Sequence, residues 1–113
     1  MAETIFQKII DKEIPADIIY EDEKSLVFKD INPVAPTHIL IIPKKQIEKI
    51  SDAEQTDQDL LGHLFLVAGK VARQLGVENA FRLVVNNGAG AQQTVCHLHI
   101  HLRAEREFSW PPG

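Results

Sequence analysis

Between Leu83 and Leu102 the chain runs for twenty residues without an Asp, Glu, Lys or Arg. The chain as a whole is 25% charged, so about five charges are expected over that length. The stretch is not simply apolar, because it also holds Asn86, Asn87, Gln92, Gln93, Thr94, His97, His99 and His101. It is either an unusually dry pair of core strands or a binding site that works with neutral donors. Its second half alternates: three histidines are separated by Leu98 and Ile100 and followed by Leu102. Period-two alternation is the pattern of a strand with one buried face. Thr94 to Arg103 is therefore expected as a strand, with the imidazoles of His97, His99 and His101 roughly 6.5 Å apart on one face. Cys96, Leu98, Ile100 and Leu102 take the other.

The remaining elements follow from local signals. Thr4 precedes Gln7 at capping-box spacing, and Phe6, Ile9 and Ile10 share a helical face, so a short helix is expected to end near Lys12, before Pro15. Asp17 to Glu21 and Ser25 to Asp30 read as a hairpin. A proline-bearing loop over Asn32 to Pro36 leads to a strand from His38 to Pro43, buried on both faces. Ser51 and Glu54 again have capping-box spacing, with room for an irregular turn before the main helix. From Thr56 or Asp57, Leu60, Leu61, Leu64, Val67, Ala68, Val71, Ala72 and Leu75 recur every three or four residues up to Gly76. That is a long amphipathic helix with a glycine stop. Phe81 to Asn86 reads as a strand and Asn87 to Gln93 as a loop. Hairpin-like strands with a covering helix imply an antiparallel α+β domain.

Composition narrows the function. Twelve Lys and Arg against sixteen Asp and Glu give a net charge of −4, which leaves no basic excess for a nucleic-acid backbone. The single cysteine, Cys96, fits a reducing compartment. The longest aliphatic run, Ile39 to Ile42, is far short of the roughly 20 residues that span a bilayer. A cytoplasmic protein of one domain, from residue 3 to 113, is expected, without membrane or nucleic-acid partners.

Three imidazoles that titrate near neutrality on one face suit proton handling or nucleophilic catalysis. Two other readings stand beside it: a solvent-facing strand that happens to carry histidine, and a zinc site built on His-x-His. The small-residue loop Asn86 to Ala91 can bring backbone N–H groups close to an anion, and Thr94 offers a hydroxyl at the mouth of the strand. His38 is either a hydrogen-bonded core histidine or a catalytic one, and His63, within the long helix, is structural. Asp30 can cap a turn or accept from a ligand hydroxyl.

The order and spacing of Thr4 to Ile10, Asp30 to His38, Ile42 to Lys45, Leu60 to His63, Val84 to Gly88, His97 to His101 and Trp110 to Gly113 resemble the histidine-triad (HIT) family, in its Hint-like nucleoside phosphoramidase branch. The resemblance covers essentially the whole chain. It implies a five-stranded antiparallel sheet with one long and one short helix, joined to a second copy in a homodimer. It also implies hydrolysis of a purine nucleoside 5′-phosphoramidate, of adenosine phosphoramidate or AMP-lysine type, without cofactor or metal. Purine-nucleotide binding with incidental turnover and hydrolysis of dinucleoside polyphosphates are the alternatives. By the same resemblance His99 is the nucleophile, flanked by His97 and His101, with His38 completing the proton network and Thr94 assisting the departing amine. Asn86 contacts the phosphate side, and Gln93 is a further nucleotide-binding residue. Asp30 accepts from the ribose, Ile5, Phe6, Ile9, Phe28 and Ile31 enclose the purine, and the 107–113 tail carries Trp110 to the partner's site. Two departures stand out: Arg103-Ala104-Glu105 replaces an aliphatic residue and two glycines, and Ala91-Gln92 falls where paired glycines are common.

Overall fold

A computed structural model describes residues 3–112; Met1, Ala2 and Gly113, the last residue of the expected tail, lie outside the described residues. The elements in chain order are α1 (Ile5–Ile10), β1 (Ile18–Glu21), β2 (Ser25–Lys29), β3 (Thr37–Pro43), α2 (Gln58–Gln74), β4 (Phe81–Val84) and β5 (Ile100–Ala104). The strands form one five-stranded sheet in the order β1-β2-β3-β5-β4. Every neighbouring pair is antiparallel. This is the α+β architecture that the sequence implies.

Register assigns the two faces of the sheet. Phe28 stands opposite Leu40, Leu40 opposite His101, and His101 opposite Val84. Residues directly opposite share a face, so these four form one row. Val27, Ile39, Ile41, Ile100, Leu102 and Ala104 point the other way, onto Leu64, Val67, Ala68, Val71 and Ala72 of α2. That is the main core, closed by the periodic stripe of the long helix. Gly76, at φ +74°, ends it. Val77 N bonds to the Ala72 carbonyl at 2.9 Å and Gly76 N to that of Arg73 at 3.1 Å, the paired bonds of a Schellman motif. The second face is covered by α1, whose Phe6 and Ile9 pack on Leu26, Phe28, Leu40 and Ile42. β3 is thus buried on both faces, as its unbroken apolar run implies.

Both helix starts depart in detail from expectation. Thr4 Oγ1 accepts from Gln7 N at 3.1 Å, but the Gln7 amide turns forward to Asp11, so only half of a capping box forms. Ser51 does not cap α2. Its N–H donates to Asn87 Oδ1 at 2.9 Å, and the reciprocal-type bond runs instead from Glu54 N to Asp57 Oδ2, also at 2.9 Å. Short 3₁₀ turns at Ile50–Asp52 and Gln55–Asp57 fill the approach to α2.

The largest correction concerns the final strand. Only Ile100–Ala104 pairs as β5; Val95 to His97 bends, and β4 ends at Val84 rather than Asn86. Leu98 N bonds to the Ile47 carbonyl at 2.7 Å, outside the sheet. Cys96, expected on the buried face, is exposed. Leu98, Ile100 and Leu102 do reach the α2 core, so the alternation predicts facing correctly from Leu98 onward and pairing only from Ile100.

Candidate active site

α1, the β2 strand end and the bend before β5 enclose a cavity of about 800 Å³, within the usual range for small-ligand sites. Its lining includes Ile5, Phe6, Ile9, Phe28 and Ile31, the expected purine-facing set, with Asp30, Thr94, His99 and His101 at the polar end. Ile14, Ala16 and Leu40 join them. Leu40 could have been found from the period-two pattern of β3; nothing in the sequence marks Ile14 and Ala16. Phe6 is the hub. Its ring meets Phe28 edge-on at 5.4 Å and stands at 88° to the His99 ring, 5.0 Å between centroids.

The histidines are held in two different ways. His99 Nδ1 lies 2.7 Å from the His97 carbonyl. A carbonyl can only accept, so Nδ1 carries the proton and the neutral ring keeps its lone pair on Nε2. His97 Nε2 donates in the same manner to the Pro43 carbonyl at 2.8 Å. Its Nδ1 is buried without a partner, and its ring does not line the cavity but stands 6.1 Å behind Phe6. The three histidines are therefore not equivalent members of one face. Two line the cavity and the third supports them.

His38 and His101 bond to each other, Nε2 to Nδ1 at 2.9 Å. Val34 N donates to His38 Nδ1 at 3.1 Å, which fixes Nδ1 as an acceptor and leaves the His38 proton on Nε2. That proton is given to His101 Nδ1, so His101 carries its own on Nε2. Asp30 Oδ2 lies 3.3 Å from His38 Nε2, while Oδ1 accepts from Asn32 N at 2.8 Å. The charge-free window thus acquires a carboxylate from outside itself. Neither the Val34 N–H nor the Pro43 carbonyl is marked by any side chain in the sequence.

All four rings are held neutral. Burial lowers His97 and His99 below the ordinary histidine value, against the opposing effect of their carbonyl bonds. Burial likewise lowers His38; Asp30 opposes this and the Arg103 charge adds to it. His101 falls furthest, to about 4, through burial and then repulsion from His99 when protonated, from Arg103 and from His38 when protonated, with Asp30 opposing. A neutral imidazole is the nucleophilic form. For a metal, Asp30, His38 and His101 place one donor atom each within 4.8 Å of one another, and Glu3, Asp11 and Glu13 form an exposed acidic group.

Besides His97 and His38, which stand behind the lining, three more expected residues lie apart from the cavity. Gln93 is buried and clasps its own loop: Oε1 accepts from Gly88 N at 2.8 Å, and Nε2 donates to the Glu48 and Val95 carbonyls at 2.7 and 3.0 Å. Its amide shapes the loop and is not turned to the cavity. Asn86 is half-buried just past β4 and outside the lining. Trp110 is 83% exposed, on a tail held by Arg82 Nη2 donating to the Ser109 carbonyl at 2.9 Å. His63 is structural, 2.7 Å from Asp22. No helix among the described residues is long and apolar enough to cross a membrane.

The HIT domain family matches residues 11–108. An uncharacterised HIT-like protein of Synechocystis is 59% identical over 100% of both chains. The 14 kDa zinc-binding protein of Zea mays is 52% identical over 97% of this chain and 88% of its own. Among solved structures, a HIT family hydrolase from Legionella pneumophila superposes with a TM-score of 0.94 at 45% identity, covering 96% of this chain and 98% of that one. The histidine triad nucleotide-binding protein of Candida albicans gives 0.83 at 32% identity, covering 97% and 84%.

Proposed function

This chain belongs to the HIT domain family, and on that premise we propose that it hydrolyses the P–N bond of a purine nucleoside 5′-phosphoramidate through a nucleotidyl-His99 intermediate. One observation carries the reading: the His99 Nδ1 bond to the His97 carbonyl leaves an unprotonated Nε2 at the polar end of a nucleoside-sized apolar cavity. The Nε2 lone pair attacks the α-phosphorus and forms an N–P bond as the substrate's P–N bond breaks. The departing amine needs a proton, and the Thr94 hydroxyl and His101 Nε2–H are the neutral donors on the lining. Water then cleaves the N–P bond, releasing the nucleoside 5′-monophosphate and restoring His99. The hydrolase from Legionella and the nucleotide-binding protein from Candida support the reaction class and the ligand class. Asp30, at the cavity wall, is the acceptor for ribose hydroxyls.

Mixing with substrate and quenching in alkali is expected to trap one acid-labile nucleotide per chain, absent from His99→Ala. An equal adduct in His99→Ala overturns the assignment.

The reading includes a second copy of the chain. β4 is a sheet edge, and α2 exposes Phe65 and Leu66 at 54% and 75%. Covering both between two copies hides an open strand edge and apolar surface, and carries the 107–113 tail with Trp110 to the partner's cavity. Light scattering that gives one chain's mass, with activity intact, overturns this part.

Zinc binding is the second reading, favoured by the grouping of Asp30, His38 and His101 and by the zinc-binding maize relative. A carboxylate and two imidazoles are ordinary zinc ligands, and zinc held by them would supply a Lewis acid beside the cavity. Such binding takes both nitrogens of the His38–His101 hydrogen bond, so metal and proton relay exclude one another. Activity that survives a chelator supports the relay; activity that needs restored zinc supports the metal.

A further inference from the structure

The row of residues next to the catalytic row carries charges that the reaction above does not use. His38 stands opposite Arg103, and Arg103 opposite Arg82. Both arginines therefore lie on the histidine face, and Arg103 follows His101 by two residues, roughly 6.5 Å along β5. Like charges directly opposite across strands are destabilising. Nothing nearby neutralises them: among the described residues no ion pair involves either arginine. Arg82 has the Ser109 carbonyl and the Phe108 ring, 4.8 Å from its guanidinium. Arg103 has less. It is half-buried, its side chain makes no hydrogen bond among the described residues, and its Nε is fully buried and unpartnered.

A guanidinium that is partly desolvated and left without any acceptor is costly, and a bound oxyanion removes that cost. Position tells where such an anion belongs. In the lateral order of the sheet, His101 on β5 lies between the nucleoside cavity, on the β2 side, and Arg82 on β4. A substrate with its nucleoside in the cavity and its phosphorus at His99 extends past His101 toward the two arginines.

We infer that Arg103, with Arg82 beside it, binds an oxyanion carried by the leaving group, so that the chain prefers phosphoramidates of anionic amines over those of neutral ones. The inference rests on the phosphoramidase reading and adds the leaving-group class to it. A carboxylate, as in an amino acid linked through its amine, and a phosphate share the required chemistry.

The test compares kcat/KM for three adenosine 5′-phosphoramidates: that of alanine, that of alanine amide, and that of 2-aminoethyl phosphate. The acid is expected to exceed the amide by at least about tenfold, the scale of one charge-assisted hydrogen bond, and the preference weakens with added salt. The phosphate arm shows which oxyanion fits better. Arg103→Leu, which places an aliphatic side chain on the strand, brings the acid-to-amide ratio to about one, and Arg103→Lys keeps part of it. Equal turnover of acid and amide by the unaltered chain, or a ratio unchanged in Arg103→Leu, overturns this inference and leaves the phosphoramidase reading standing. Cleavage of none of the three overturns both.

Discussion

His97 and His99 are tied to backbone carbonyls, whereas His38 and His101 are tied to each other. A carbonyl cannot give a proton back, so each ring of the first pair is locked in one tautomer and presents a fixed nitrogen. The second pair shares a proton between two nitrogens 2.9 Å apart, and moving it changes what His101 offers to the cavity. The same side chain thus does two jobs, set by what its inner nitrogen touches. In the proposed reaction one pair makes and supports the nucleophile, and the other moves protons.

Removing the proposed nucleophile tests the difference most severely. His99→Ala is expected to lower kcat by on the order of 10⁴-fold or more. His101→Ala removes a proton donor but not the attacking atom, so the loss is smaller, about 10²–10⁴-fold. His38→Ala, which acts through His101, falls at the lower end of that range. Steady-state and single-turnover rates on one phosphoramidate rank the three. A His38→Ala loss equal to that of His99→Ala erases the distinction between the pairs.

His97 reverses the pattern, because its ring is buried behind Phe6. His97→Ala leaves a void and an unsatisfied Pro43 carbonyl, and is expected to cost about 2–4 kcal/mol of stability. Urea unfolding measures it. An unchanged midpoint with lost activity places His97 among the reacting groups instead.

These two anchors also explain what could be read from the sequence. The long helix, its glycine stop and the doubly buried β3 follow from periodicities that tertiary packing merely uses. The apolar wall of Ile5, Phe6, Ile9, Phe28 and Ile31 was legible through the family resemblance, and the structure brings those side chains together. The strand from Thr94 to Arg103 was legible only in part. Alternation records which way side chains face, not what the backbone bonds to. Here the imidazoles of His97 and His99 take the carbonyls of Pro43 and His97, and Leu98 N goes to Ile47. Side-chain bonds stand in for ladder bonds, and no periodic pattern reports that exchange.

Acid should draw stability from both pairs, and most from His101. His101 takes up its proton near pH 4 when folded and near 6.5 when unfolded. Between those values the unfolded chain binds more protons, so stability is full above about pH 6.5 and is lost as pH falls toward 4. For His101 alone the loss is about 3 kcal/mol, and the lowered values of His38, His97 and His99 add in the same direction. Urea midpoints at pH 7 and pH 5 measure the slope, and His101→Gln should flatten it. Activity on the same ground persists below the ordinary histidine value. An acid limb of kcat/KM centred at 6.5 contradicts the neutral nucleophile.

The smallest effect belongs to a histidine outside both pairs. His63 Nε2 meets Asp22 Oδ2 at 2.7 Å, with side chains 34% and 23% exposed, and joins α2 to the β1–β2 turn. Asp22 already accepts from Lys24 N, Ser25 N and the Ser25 hydroxyl. Burial pushes its carboxyl up, but these donors and His63 together hold it well below the usual carboxylate range. With the Tyr20 hydroxyl also donating to Oδ2, losing one donor of five leaves the carboxylate satisfied, and exposure screens what the pair contributes. His63→Gln is accordingly expected to cost less than about 1 kcal/mol and to leave kcat/KM within error, because no bond links His63 to the cavity. A tenfold loss of activity there means that a partly exposed His–carboxylate contact reaches the site through α2. The division between anchored and relaying histidines then has to admit a third kind.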